Sequence, residues 1–386
     1  MKSFDVYKLW PIEPVKGLGC RIWDSEDNSY LDFYGGHAVI SVGHSHPSYN
    51  QAIIDQLQKI SFYSNSVLNP LQTELSQLLG KVSGYNDYSL FLSNSGAEAN
   101  ENALKLASFH TGKKRVLAFN DSFHGRTSGA VAATDNPSIV SPFNSGHHVT
   151  FVPLNNIESV NQELSQNDYA AVIIEGIQGV AGIFEPNQPF MIELRKVTQE
   201  RGVILILDEV QSGYGRTGRF FAHQHHQIKP DIITTAKGMG NGFPIGGTLI
   251  SPLFIPVSGM LGTTFGGNHL ACAASISVLK IIEEEQLISQ AFEKGEYIKE
   301  RLNEISNSNK GVISQIRGRG LMIGVEMAPD YIKVRDSLLF DKKVFTGGAK
   351  SNVIRLLPPL TVTYSEIDEM IQCFQECINI VKKGQK

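Results

Sequence analysis

The 386-residue chain predicts an α/β protein of two domains, on three observations. It is too long for one compact core. Through its middle, strand-length apolar runs alternate with helix-patterned ones, the sign of a mainly parallel sheet flanked by helices. After the Gly-rich segment 262–267 the alternation stops, and long helices precede clustered short strands. The predicted division is an N-terminal segment 1–44 packed with the small domain, a large domain 45–265, and a small α+β domain 266–386.

The elements follow from apolar periodicity in order. Helices are expected at 48–60 and 71–81, a short strand at 90–92 and a helix at 97–111. Strands at 115–119 and 149–152 precede a helix at 157–165. A strand at 170–175, a helix at 190–201 and strands at 203–207 and 231–235 complete the large domain. The run Val203-Ile204-Leu205-Ile206-Leu207 reads as a strand buried on both faces. In the small domain, helices at 269–284 and 287–306 lead to strands at 312–317, 321–327 and 353–357 and a helix at 365–383. The basic tail 382–386 reads as frayed.

Composition narrows the function classes. A formal net charge of −4 gives no electrostatic case for nucleic acid or anionic membranes. The apolar runs are too short for a membrane-spanning helix. The first eleven residues lack the apolar core of a signal peptide. Cys20, Cys272, Cys373 and Cys377 show no C-x-x-C and suit a reducing cytoplasm. The pair His44/His46 and the trio His223/His225/His226 lack the spacing and partners of a metal site.

Chemistry concentrates at strand ends, where open α/β sheets hold ligands. The strand at 203–207 delivers Asp208, and Ile232-Ile233 lead into Thr-Ala-Lys237-Gly. An acid for a cationic ring nitrogen and a lysine for an aldehyde are what pyridoxal phosphate (PLP) requires. Ser95 can cap the helix that Gly96 and Ala97 open, and such a helix start binds phosphate. Phe123 can stack on a flat ring and Arg126 can grip a carboxylate. Thr263 and Thr264, among glycines, can reach a phosphate. Gly213-Tyr214-Gly215-Arg216-Thr217-Gly218 also spells a dinucleotide fingerprint, the runner-up reading as a dehydrogenase. The glycines do not follow the strand directly, however, and no capped helix follows them.

Together with Gly-His-Ser-His-Pro (43–47), Gly-Arg-Gly-Leu-Met-Ile-Gly (318–324) and Arg-Leu-Leu-Pro-Pro-Leu (355–360), these motifs resemble the class III, or ω-amino-acid, aminotransferases of PLP fold type I. The resemblance spans nearly the whole chain. Within the family it is most similar to acetylornithine aminotransferases of arginine biosynthesis. It implies that Lys237 binds the cofactor covalently and shuttles a proton, while Asp208 keeps the ring nitrogen protonated. Val210 and Phe123 would cover the two ring faces, and Gln211 would reach the phenolic oxygen. Ser95, Gly96 and Ala97 would hold the phosphate, with Thr264 from the neighbouring subunit of a homodimer with shared active sites. Arg126 and Thr263 would bind a substrate carboxylate, and Arg355 the α-carboxylate of glutamate or 2-oxoglutarate. The implied reaction moves the δ-amino group of N-acetylornithine to 2-oxoglutarate. N-succinylornithine, ornithine and 4-aminobutyrate are the alternative donors.

Three positions depart from the family pattern. Val180 stands where an acid normally pairs with the glutamate-binding arginine, so Arg355 is expected to lack that partner. His37 replaces an apolar residue, and His269 replaces a proline. An unpaired Arg355 suits a donor with an extra carboxylate, such as N-succinylornithine.

Overall fold

The computed structural model describes residues 1–350 and 352–384. Three short strands come first, β1 (Pro14–Leu18), β2 (Arg21–Asp24) and β3 (Ser29–Phe33), followed by a single turn, α1 (Gly35–Ala38). Helices α2 (Pro47–Lys59) and α3 (Pro70–Ser83) lead into β4 (Ser89–Ser93), α4 (Gly96–Thr111) and β5 (Arg115–Phe119). The short α5 (Ser128–Ala132) precedes β6 (Val149–Val152), α6 (Ile157–Leu164), β7 (Tyr169–Glu175) and α7 (Gln188–Glu200). Then come β8 (Ile204–Asp208), β9 (Ile232–Thr235) and β10 (Gly246–Ile250). The C-terminal part runs through α8 (His269–Glu284), α9 (Leu287–Ser308), β11 (Ile313–Arg319) and β12 (Met322–Met327). It ends with α10 (Val334–Phe340), β13 (Val344–Gly348), β14 (Val353–Leu356) and α11 (Tyr364–Gly384).

The larger-helix sheet has the order β4-β10-β9-β8-β7-β5-β6. Its β9-β8-β7-β5-β6 part is parallel, and β10 runs antiparallel to both its neighbours. This is the α/β class with a mainly parallel sheet expected from the sequence. Every residue of β7, β8 and β9 is buried, because helices cover both faces. Alternation decides which face each residue serves. Val172, Ile174, Leu205 and Leu207 pack with Met191 and Leu194 of α7. Ala171, Ile173, Ile204 and Ile206 pack with Ala103, Leu106 and Ala107 of α4.

A second sheet, β1-β2-β3-β13-β14-β12-β11, joins the chain's two ends through a parallel pairing of β3 with β13. Arg216 ties the two parts together. Its buried guanidinium donates to the carbonyls of Leu321 at 3.1 Å and Pro358 at 2.8 Å, and burial pulls its pKa down to about 10.

Several elements differ from the sequence expectation. The strands β1–β3, β10 and β13 and helix α10 were not anticipated. The strand β10 is obscured by Gly246 and Gly247, which weaken a strand pattern. Gly246 is needed: a Cβ there would lie 2.3 Å from the Ser95 carbonyl oxygen. The tail expected to fray is ordered in part: Lys382 and Lys383 continue α11, and the Lys382 amine donates to Asn309 at 2.6 Å. Residues 385–386 of that tail lie outside the described residues. The dinucleotide-like glycines serve packing instead. Added Cβ atoms at Gly215 (φ +84°) and Gly218 (φ +85°) would meet Ile288 and Phe292 of α9 at 2.8 Å.

Behind the parallel strands, Glu209 and His223 are fully buried, with Nδ1 of His223 2.7 Å from the Glu209 carboxylate. Tyr85 closes the row, 2.6 Å from the other ring nitrogen. The expected result of His223→Ala is a loss of about 3 kcal/mol of stability, because two buried polar groups lose a partner. Equilibrium urea denaturation checks this, and a loss below about 1 kcal/mol would contradict the account.

Candidate active site

The carboxyl ends of the parallel strands surround a cavity of about 360 Å³. Nine residues expected at the site line it: Ser95, Gly96, Ala97, Phe123, Arg126, Asp208, Val210, Gln211 and Lys237. They come from four separate segments, which the parallel topology brings to one edge.

Asp208 ends β8 and is 4% exposed. Its Oδ2 lies 2.7 Å from His124 Nδ1 and accepts from Asn100 Nδ2 at 2.8 Å. Its Oδ1 accepts from the Val210 N–H at 3.0 Å. Asn100 is itself held by the Thr234 hydroxyl at 2.6 Å. Three donors therefore fix the carboxylate within the cavity wall.

Lys237 follows β9 and is half-buried, with φ +45°. A left-handed backbone at a non-glycine residue is strained, and such residues cluster at functional sites. Burial lowers the pKa of its amine, opposed by the negative charges of Asp208 and Glu175. The loop over Lys237 is anchored by Asn241, whose Oδ1 accepts from the N–H groups of Ser41 (2.8 Å) and Val42 (3.0 Å). The Ser41 hydroxyl donates to the Gly238 carbonyl at 2.7 Å.

At the start of α4, the Ser95 hydroxyl caps the Glu98 N–H at 3.2 Å, and Glu98 Oε2 accepts from the Asn94 N–H at 2.8 Å. This cap leaves the N–H groups of Gly96 and Ala97, the first two of the helix, without intrahelical acceptors. Val210 lies over Gly96 so closely that a Cβ there would sit 2.6 Å from Val210 Cγ1. The expected result of Gly96→Ala is cofactor binding weakened about tenfold, from a displacement costing about 1–3 kcal/mol. Equilibrium dialysis of PLP checks it, and unchanged affinity would remove Gly96 from the phosphate seat.

Three expected residues do not line the cavity. Thr264 is exposed on the single chain. Thr263 Oγ1 accepts from the Gly266 N–H at 3.1 Å and from Asn94 Nδ2 at 3.4 Å, beside the helix start. Arg355, on β14, reaches the wall from behind: its Nη1 donates to the Gly179 carbonyl at 3.1 Å, next to the cavity-lining Val180. No carboxylate pairs with it among the described residues. His37 (φ +67°) accepts from Gln211 Nε2 at its carbonyl at 3.3 Å, while its ring contacts the Tyr34 hydroxyl. Burial and the positive charges of Arg355 and Lys237 lower the pKa of His37.

Sequence reasoning passed over Asn100 and His124 as holders of Asp208, and it missed Glu175. The last of these had a signal: two adjacent strands both end in an acid, and Glu175 pairs in register with Asp208. Burial raises the Glu175 pKa to about 7, offset partly by His124 and by the N–H groups of Phe123 and Gly179. A carboxyl raised in the folded state favours folding fully below its ordinary value of 4.5, and that contribution is lost as pH rises through about 7. Glu175→Gln should remove this slope, worth on the order of 3 kcal/mol. Its stability relative to the parent should rise between pH 5 and pH 8 in thermal denaturation. A difference that stays flat across the window would refute the raised pKa.

The class-III aminotransferase family model matches residues 5–378. The acetylornithine aminotransferase of Caldanaerobacter subterraneus is 40% identical over 98% of this chain and 97% of its own length. That of Bacillus subtilis is 38% identical over 97% of each chain. Among solved structures, an ornithine aminotransferase from Toxoplasma gondii with PLP at partial occupancy in its active site superimposes with a TM-score of 0.91. It is 27% identical, and the match covers 97% of this chain and 92% of that one. A match of this extent, with the acid, the lysine and the capped helix gathered at one sheet edge, places this chain in the class-III aminotransferase family.

Proposed function

We propose that this enzyme uses PLP to transfer the δ-amino group of N-acetylornithine to 2-oxoglutarate, giving N-acetylglutamate 5-semialdehyde and glutamate, the exchange used in arginine biosynthesis. The observation that carries this reading is the convergence of the Asp208 carboxylate and the Lys237 amine in one cavity beside the capped N-terminus of α4. The identity of 38–40% to two acetylornithine aminotransferases supports the choice of donor.

The cavity residues fit PLP. The buried Gln211 Oε1 has no protein partner among the described residues and suits the ring hydroxyl. Gly96 and Ala97 offer N–H groups to the phosphate, and the helix dipole reinforces them. Val210 and Phe123 supply apolar walls for the ring. When bound, the group supplies an aldehyde that captures amines and a ring that accepts the electron pair left on a deprotonated carbon.

The chain's residues do the rest. Asp208 holds a proton on the ring nitrogen by opposing it with a fixed negative charge. Burial keeps the Lys237 amine more readily unprotonated than a surface lysine, so it can take a proton from the substrate carbon and return it. Arg126, exposed at the cavity rim, and Thr263 bind the donor's carboxylate. Arg355 binds the α-carboxylate of 2-oxoglutarate or glutamate.

We read the enzyme as a cytoplasmic homodimer with shared sites, in which Thr264 completes the partner's phosphate seat. Exposed Phe62, Tyr63, Val67, Leu68 and Phe265 support an interface beside that loop, with the Phe62 and Phe265 rings 5.4 Å apart. Sedimentation should give a dimer, and Phe265→Glu should shift it to monomer with loss of activity. A monomeric, active parent would refute the shared site.

The donor is tested by measuring glutamate formed from 2-oxoglutarate with N-acetylornithine, N-succinylornithine, ornithine or 4-aminobutyrate. N-acetylornithine should give the highest kcat/KM. A higher value for any other donor would replace the proposed substrate.

A further inference from the structure

A second cavity, of about 410 Å³, shares no residue with the active-site cavity among the described residues. Helix α4 lines it with Glu101, Lys105, Ser108 and Phe109, whose i, i+4, i+7, i+8 spacing puts them on one helical face. Lys114, just before β5, and His147 and His148, just before β6, line it from other segments.

The charge of this cavity runs against that of the chain. The formal net charge is −4, and other surface lysines such as Lys81, Lys196 and Lys229 pair with acids. Lys105 and Lys114 enter no ion pair among the described residues, and Glu101 is the one carboxylate among them that lines the cavity. That carboxylate is already engaged: its Oε1 accepts from the N–H groups of Gly129 at 2.6 Å and Ala130 at 3.1 Å. A helix C-terminus attracts cations to its last turn. Lys105, however, stands in mid-helix, and Lys114 and the two histidines lie outside the helix. Two ammonium groups without an acid, beside two imidazoles that can donate, are completed by an anion with several acceptor oxygens.

The same cavity offers an apolar surface. The Phe109 ring is 56% exposed, and the Lys105 amine lies 5.7 Å from its centroid, so charge and a flat face stand side by side. Leu104, Val116, Val149 and Ala170 add apolar lining. The volume falls in the range of small-molecule pockets, about 300–1,000 Å³, and exceeds what a bare inorganic anion fills.

We propose that this cavity binds a phosphorylated molecule with a flat aromatic body, the chemistry shared by nucleoside phosphates and simple aryl phosphates. Lys105, Lys114, His147 and His148 take the phosphate, and Phe109 takes the ring. The site is separate from the transamination centre and does not depend on which amine is the donor.

The test is equilibrium dialysis on the holoenzyme, whose own phosphate seat is filled by PLP. The ligands are adenosine monophosphate (AMP), phenyl phosphate, adenosine and inorganic phosphate. AMP or phenyl phosphate should bind with a Kd of about 1 mM or tighter, and adenosine and inorganic phosphate at least about tenfold more weakly. Tighter binding of AMP than of phenyl phosphate assigns the site to nucleoside phosphates, and equal binding assigns it to aryl phosphates at large. The double variant Lys105→Ala/Lys114→Ala should weaken the bound phosphate ester about tenfold or more. Phe109→Ala should weaken the ester while leaving inorganic phosphate unchanged. Both variants alter exposed side chains and should keep the parent's melting temperature. Failure of both esters to bind overturns the proposal, as does inorganic phosphate binding as tightly as they do. Ester binding that neither variant weakens overturns it too, because the ligand then sits elsewhere.

Discussion

Replacing Lys237 with alanine lowers kcat by about 10⁴-fold, the upper range for a positioned acid–base group. The loss should be chemical rather than structural. Both residues carry a Cβ, so the strain of φ +45° is unchanged, and no hydrogen bond of the Lys237 amine is broken among the described residues. The melting temperature of the apoprotein should therefore stay close to that of the parent. Small primary amines added to the variant should restore part of the rate in proportion to their concentration, because an amine delivered from solution can occupy the space the side chain leaves. A structural lysine would show no such rescue. Activity within tenfold of the parent would end the assignment of Lys237 as the base and the cofactor's anchor.

Much of the large sheet was legible in the sequence because β7 and β8 are buried on both faces. A strand in that position cannot hide its apolar run, and the ends of β5 and β6 are bounded by polar loops. The strand β10 was illegible for a contrary reason. Gly246 is set by the approach of the Ser95 carbonyl, a contact across more than a hundred residues that no local pattern contains. The short strands β1–β3 and β13 make one sheet only by pairing the two chain ends.

The site was legible where chemistry and local structure coincide. Ser95-Gly96 announces a capped helix start, and Asp208 follows directly from its strand. Partners from elsewhere were not. Asn100 and His124 stand in segments that were read for phosphate and ring contacts, and their bonds to Asp208 depend on how α4 and the loop after β5 pack over β8. The setting of Arg355 was also not legible: its bond to the Gly179 carbonyl and the nearby charge of Glu175 come from segments far from it in sequence.

Asp208→Asn should cost about 10²–10³ in kcat, the range found when a preorganised electrostatic contact is removed from a reaction centre. The geometry makes the substitution more than a loss of charge. Oδ2 faces donors from Asn100 and His124, and Oδ1 faces the Val210 N–H. An asparagine has one amide oxygen, so whichever way it turns, its NH₂ opposes a backbone or side-chain donor. A stability loss of about 1–3 kcal/mol should accompany the rate effect. The two effects separate in a double cycle with a PLP analogue whose ring nitrogen is replaced by carbon. On enzyme loaded with that analogue, Asp208 has no ring proton to hold, and Asp208→Asn should change kcat by less than about threefold. With PLP itself the full loss should appear, with KM for the donor little altered, because the contact matters most as negative charge develops on the substrate carbon. An equal loss with both cofactors would assign Asp208 a purely architectural role. His124→Asn provides the intermediate case: it removes one support of the carboxylate but keeps its charge, and its rate loss should be smaller than that of Asp208→Asn.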